Sequence, residues 1–171
     1  MTKIYGNEEL KLDADTREKI ARAIHEDYRQ AKANEAQGQE PSMAEWDELL
    51  DHLKESNRQQ ADHILEKIHR IGHAVHKVTN RNATSIMFTK DEVEIMAEME
   101  HARWNFERLS NGWQWGEKRD AIKKTSPYLV PWSQLPDKVK EWDRHTVRNI
   151  PELLARVGLE IRRQRGNDES R

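Results

Sequence analysis

Apolar residues recur at helical spacing in four stretches of this chain, and the gaps between them carry turn chemistry. Ile20, Ala23, Ile24 and Ala31 share one helical face. Asp15 or Thr16 is the expected cap of this helix, with Glu18 placed to close a capping box, and the helix is expected to run to about Gln37, before Gly38. After the loop GQEPSM, the residues Trp46, Leu49, Leu50 and Leu53 predict a short apolar turn. Ala61, Ile64, Leu65, Ile68 and Ile71 then mark a second helix over about 56–71, ended by Gly72 in a left-handed conformation. Val75 and Val78 predict a short strand, and the aperiodic polar stretch VTNRNATSIM predicts a linker. Thr89, with Glu92 three positions on, forms a capping box for a third helix. Along it Val93, Met96, Ala97, Glu100 and Trp104 recur until Asn111-Gly112 stops it. Trp113 to Gly116 predicts one arm of a short hairpin, and Pro127, Pro131 and Pro136 keep the following stretch extended. Asp143 is the expected cap of a last helix carrying Val147, Ile150, Leu153, Leu154 and Val157 up to Gly158. Pro151 sits inside that pattern and should kink or split it.

The pattern occurs twice. A shift of 86 sets Pro41 on Pro127, Trp46 on Trp132, Leu49 on Leu135, Arg58 on Arg144, Ile64 on Ile150 and Gly72 on Gly158. Nearer the start a shift of 76 sets Ala21 on Ala97, His25 on His101 and Tyr28 on Trp104. The second copy therefore carries ten extra residues, 86 minus 76, between its first helix and Pro127, and the segment GWQWGEKRD lies there. One copy alone would bury its apolar faces poorly. Two copies are expected to pack about a pseudo-twofold axis, with Tyr28 and Trp104 on opposing sides of one cleft.

Composition narrows the class of function. The 171 residues are 35% charged, with 29 basic against 31 acidic side chains and a net charge of −2, a balance that argues against a general nucleic-acid binder. There is no cysteine, which excludes disulfides, thiol catalysis and cysteine-based zinc sites. The start, MTKIYGNEELKLDADT, has neither a basic nor an apolar leader region, and no apolar run reaches the ~18 residues of a membrane span. A soluble, cytoplasmic protein without a membrane partner is expected.

Residues 101–132 concentrate Trp104, Trp113, Trp115 and Trp132 beside Arg103, Arg108, Lys118, Arg119, Lys123 and Lys124. The segment is built on H-x-x-W, then GW-x-x-G-x-x-RD, then P-x-LVPW-x-x-LP and an Asp-Arg pair before the last helix. Over about 60 residues this resembles the RyR domain, the repeated domain of ryanodine receptors, in the form found in bacterial and phage proteins. The first copy resembles a degenerate RyR domain, with HEDY for H-x-x-W and without the GW and RD motifs. The resemblance implies a mainly α fold with short antiparallel strands, as two RyR-type repeats packed about a pseudo-twofold axis. Its expected divisions are 1–80 for the degenerate repeat, 81–88 for the linker, 89–162 for the RyR domain and 163–171 for a disordered tail. It also implies an adenine-nucleotide site. Matched residue by residue, Tyr28 and Trp104 would clamp the base and Arg108 and Arg119 would contact the phosphates. Tyr28 departs from Trp, and Lys32 stands where the first copy would need the counterpart of Arg108. Channel activity is not implied.

Each of these residues also has a plainer reading. Trp104 lies on the apolar stripe of its helix and is either core or pocket, while Trp46, Trp113, Trp115 and Trp132 are expected in the core. Arg119 and Asp120 suit an ion pair, and Lys123 and Lys124 a solvated face. His69, His73 and His76 have ligand-like spacing, but Gly72 interrupts the helix that would align them, so no metal is expected. His25 and His101 recur at the same place in both copies, which favours a repeated structural hydrogen bond. No Gly-rich phosphate loop or nucleophile elbow occurs. The expectation is therefore a non-enzymatic module with no cofactor, binding an adenine nucleotide or nucleotide-derived signal in the cleft between the repeats. The alternative is a structural or protein-interaction module with a protein partner or a homo-oligomeric state.

Overall fold

The computed structural model describes residues 12–33, 40–79 and 85–164. In chain order these form helix α1 (Ala14–Lys32), 3-10 turns at Pro41–Met43 and Trp46–Glu48, helix α2 (Asp51–Arg70) and strand β1 (His73–Lys77). There follow helix α3 (Lys90–Ser110), two-residue strands β2 (Gln114–Trp115) and β3 (Thr125–Ser126), and a 3-10 turn at Trp132–Gln134. Helix α4 (Asp137–Arg148), helix α5 (Ile150–Arg156) and strand β4 (Leu159–Arg163) complete the described residues. The fold is mainly helical, and no described helix is long and apolar enough to cross a membrane.

The chain divides into two compact units, Met1–Ile86 with Pro151–Arg171, and Met87–Ile150. In the first, α1 packs on α2, and Ile20, Ala21, Ala61, Ile64 and Ile68 are buried. Ala21, Trp46 and Leu49 form a cluster flanked by Ala44 and Leu53. Strands β1 and β4 pair antiparallel, with Val75 facing Ile161 at the centre and His73 and Lys77 facing Arg163 and Leu159 at the ends. Since 161 minus 75 is 86, the ladder maps onto itself under the shift found in the sequence. In the second unit, α3 packs on α4, with Val93, Met96, Ala97, Leu135, Val139 and Val147 buried.

One polar anchor occurs in both units with nearly the same geometry. In the first unit the Glu18 carboxylate of α1 accepts the Trp46 indole N–H at 3.0 Å and the Arg58 Nε–H of α2 at 2.7 Å. In the second, Glu94 accepts the Trp132 indole N–H at 3.2 Å and the Arg144 Nε–H at 2.8 Å. A single acceptor thus ties two helices to the turn between them. Trp46 is buried, Trp132 is half-buried, and in each case the arginine lies 5.9 Å from the indole centroid.

Several sequence expectations are corrected at element ends. The cap of α1 is Asp13, whose Oδ1 accepts the Thr16 N–H at 2.7 Å, rather than Asp15 or Thr16. Asp15 instead pairs with Lys19, and Glu18 is committed to Trp46 and Arg58 rather than to a capping box. The expected end near Gln37 falls outside the described residues. Helix α2 begins at Asp51, well before residue 56, because the Leu50 carbonyl accepts the N–H of Leu53 and of Lys54 at 2.9 and 3.0 Å. Asp143 does not cap the last helix: α4 starts six residues earlier, after Pro136, whose φ of −58° suits a helix entry. Pro151 does split the pattern, with α4 ending at Arg148 and α5 resuming at Ile150, since proline lacks the N–H that would continue the ladder. Gly72, Gly112 and Gly158 all take the left-handed conformation, with φ of 77°, 80° and 77°. Residues 80–84 of the expected linker and 165–171 of the expected tail lie outside the described residues, while Arg163 is the last residue of β4.

The twin anchors make stability depend on acid. Hydrogen bonds from Arg58 and from Arg144 hold the Glu18 and Glu94 carboxyls below the usual carboxylate range. Their folded pKa values lie below the unfolded ones, so the contribution is complete above roughly pH 5 and fades as pH falls through the folded values. Thermal scans should show Tm falling on acidification. The Glu94→Gln variant should lose about 1 kcal/mol or less at pH 7, since the Glu94 side chain is 43% exposed and water screens the pair. Its stability should then vary less with acid than that of the parent; an equal acid slope would show that these carboxylates do not carry it.

Candidate functional site

The candidate site is built on the last turns of α3 and the segment that follows. His101 is buried, and its Nε2 lies 2.7 Å from the Val130 carbonyl oxygen. A carbonyl only accepts, so Nε2 carries the hydrogen. Asn105 Nδ2, 3.2 Å from the same nitrogen, therefore donates to the Val130 oxygen at 3.1 Å rather than to the ring. The other ring nitrogen is 3.8 Å from the Asp143 carboxylate of α4. In the first unit His25 Nε2 donates to the Ala44 carbonyl at 2.8 Å. This is the repeated structural hydrogen bond expected from the sequence. It holds the stretch before each tryptophan turn against its helix.

One turn on from His101, Trp104 is half-buried, so it is not part of the fully buried core. Its indole stacks on the His101 ring at 5.9 Å and 18°. The Arg108 guanidinium stands 5.5 Å from the Trp104 centroid and 4.7 Å from that of Trp113. Arg108 thus bridges two indoles, an arrangement in which the flat cation gains from both π faces. The helix end produces this. Gly112, left-handed, lets its own N–H reach the Leu109 carbonyl at 3.0 Å and the Trp113 N–H reach the Arg108 carbonyl at 3.0 Å, the double bond of a Schellman end. The sequence Asn111-Gly112-Trp113 therefore folds Trp113 back onto Arg108.

Beyond Trp113 the chain forms the ten-residue insertion. The expected hairpin is corrected: β2 and β3 pair parallel, Gln114 with Thr125 and Trp115 with Ser126. The reversal is made inside the loop, where Asp120 and Thr125 exchange N–H···O bonds of 3.0 and 2.9 Å. Gly116 lies so close to Thr125 that a Cβ there would come within 2.8 Å of the Thr125 Cβ. Asp120 does not pair with Arg119. Its carboxylate accepts the N–H groups of Lys123 and Ile122 at 3.0 and 2.9 Å, and these bonds hold it below the usual range. Lys124, with φ of 54°, donates its ammonium to the Asn111 carbonyl at the end of α3 at 2.9 Å. Trp115 is 57% exposed, contrary to the expectation of a core position.

Of the four ligand-binding candidates, Trp104 and Arg108 are brought together. Arg119 is exposed in the loop before Asp120. Tyr28 belongs to the first unit, where it is 38% exposed with its hydroxyl 3.3 Å from the Ser42 Oγ. The sequence reading missed Trp113 as a partner of Arg108, although the Asn-Gly helix stop followed at once by Trp is a signal for it. It also missed Asn105, and it missed Glu94, whose match to Glu18 under the shift of 76 was available. Among the described residues, no group of three His, Cys, Asp or Glu side chains is placed to hold a metal ion. His73 is buried, and His76, three residues on, lies on the opposite face of β1.

The hydrogen bond at Val130 can be tested through its two donors. His101→Phe should cost about 1–3 kcal/mol, because a partly buried carbonyl loses its shorter donor. Asn105→Ala alone should cost less, and the double variant more than either, by thermal denaturation at neutral pH. Equal, additive losses would mean that the two side chains do not share one acceptor.

Comparison with known families adds the remaining evidence. Residues 85–163 match the family model described as RyR domain. The match spans the His101–Val130 bond, the Arg108 indole pair, the insertion and the Glu94 anchor, and it continues through α5 and β4. Residues 85–163 therefore form an RyR domain within this chain.

Proposed function

We propose that the chain consists of two RyR-type repeats and acts by binding an adenine nucleotide or nucleotide-derived signal, without chemistry on it. The observation that carries this reading is the Arg108 guanidinium held between the half-buried indoles of Trp104 and Trp113. A planar cation fixed among aromatic faces suits a ligand with a flat base and an anionic tail. A base gains ~1–3 kcal/mol from each ring it stacks on, and a guanidinium takes a phosphate through paired N–H donors. In this reading Trp104 stacks on the base, and Arg108 and Arg119 take the phosphates. The first repeat lacks the insertion and holds Lys32 where Arg108 would stand, so its part is that of a supporting copy. The twin Glu-Trp-Arg anchors and the β1–β4 register support common ancestry of the repeats.

Thermal shift against ATP, ADP, ADP-ribose and cyclic dinucleotides tests the proposal. A ligand at 100 times its Kd adds about 2.7 kcal/mol, and roughly 2–4 °C per kcal/mol makes that several degrees. Trp104→Ala should weaken binding by about 5-fold or more and Arg108→Ala similarly, with far-UV circular dichroism unchanged. The nucleotide should be recovered intact by chromatography. No shift with any of these nucleotides would defeat the binding reading, and a changed nucleotide would defeat the non-enzymatic one.

A further inference from the structure

Helix α3 has two apolar faces, and its own unit uses one of them. The packed face carries Val93, Met96 and Ala97, with His101 beside them. On the opposite side Ile95, Ala102, Phe106 and Leu109 follow one another at i, i+7, i+11 and i+14, which at about 100° per residue confines them to one narrow stripe. All four are exposed, Phe106 by 75% and Leu109 by 59%. At about 1.5 Å per residue the stripe is roughly 21 Å long. A continuous apolar ridge of this kind on a chain of mean hydropathy −1.06 marks an interaction surface.

We propose that this ridge is a self-association surface, on which α3 packs antiparallel against α3 of a second copy. Three features select a second copy. Ala102, the smallest residue of the stripe, lies near its middle and lets two backbones approach. With Ala102 on the twofold axis, Ile95 meets Leu109 of the partner subunit, since 95 plus 109 is twice 102. The charges at the two ends are also complementary to each other. Asp91 and Glu98 are exposed beside the N-terminal half of the ridge. At its C-terminal end the Lys124 ammonium sits on the Asn111 carbonyl, and the neighbouring Lys123 is exposed. An antiparallel pair sets the acidic end of each ridge on the basic end of the other and opposes the helix dipoles, whereas a parallel pair would set like on like. The interface is isologous and closes at two chains. A ridge one helix wide buries less than the roughly 1,200 Å² of a stable interface, so the dimer is weak and concentration-dependent. Trp104 and Arg108 project from other sides of α3, so the association leaves the candidate site accessible.

Sedimentation velocity of the full chain across the micromolar range tests this. The sedimentation coefficient should climb from monomer to dimer with concentration. Phe106→Glu should raise the dimer Kd by roughly tenfold or more without changing circular dichroism or Tm, because the side chain is exposed. Leu50→Glu, on an exposed apolar residue of the first unit, should leave the Kd unmoved. Asp91→Lys and Lys123→Glu should each weaken the dimer, and mixing the two variants should restore association. A chain that stays monomeric at every concentration, or one that dimerises equally well as Phe106→Glu, would overturn the proposal. An association lost in Phe106→Glu yet indifferent to both charge reversals would overturn the antiparallel arrangement.

Discussion

A single carboxylate in each unit is the constraint on which the architecture depends. Glu18 and Glu94 each receive an indole N–H and a guanidinium, and so each joins a first helix, a tryptophan turn and a second helix. The arrangement is economical for a chain in which only 35% of residues are hydrophobic. An apolar core of Ile20, Ala21, Ile64 and Ile68, or of Val93, Met96 and Val147, supplies the driving force but little direction. The charge-assisted hydrogen bonds supply the direction, because a carboxylate has few acceptor sites and a guanidinium a rigid fork. The two histidines act alongside, each donating to a carbonyl just ahead of its tryptophan turn.

The second unit uses that frame to hold something the first lacks. With α3 anchored at Glu94 and His101, its C-terminal end is free to shape the Arg108 cluster through local rules alone. A left-handed Gly112 returns Trp113 to Arg108, and Lys124 satisfies the Asn111 carbonyl left over at the helix end. The insertion is then stapled by a two-residue parallel ladder and by the Asp120 turn rather than by a hydrophobic core. Its apolar side chains, Trp115 and Ile122, stand exposed. The stretch that matches the RyR domain, residues 85–163, contains the whole segment from Trp104 to the end of the insertion.

Helix identity was legible because it rests on short-range signals. The Thr89 and Glu92 capping box, the Asn111-Gly112 stop, the Pro151 break and the three left-handed glycines all involve residues within a few positions of one another. The same locality explains the misreadings. Asp13, Asp15 and Thr16 are all competent caps, and what separates them is where Glu18 must stand to meet Trp46 and Arg58, some 28 and 40 positions away. Arg119-Asp120 looked like an ion pair, yet backbone N–H groups two and three residues on were nearer partners for the carboxylate.

By itself the sequence determined the helices, the stops at Gly72, Gly112 and Gly158, and the doubled pattern under shifts of 86 and 76. These follow from periodicity, caps and spacing, which act along the chain. Only the tertiary structure decided that β2 and β3 run parallel and that Trp115 is exposed while Trp46 is buried. Each of those depends on which of several chemically equivalent partners is nearest in space. That choice is made by the packing of helices on one another, and no local pattern of residues records it.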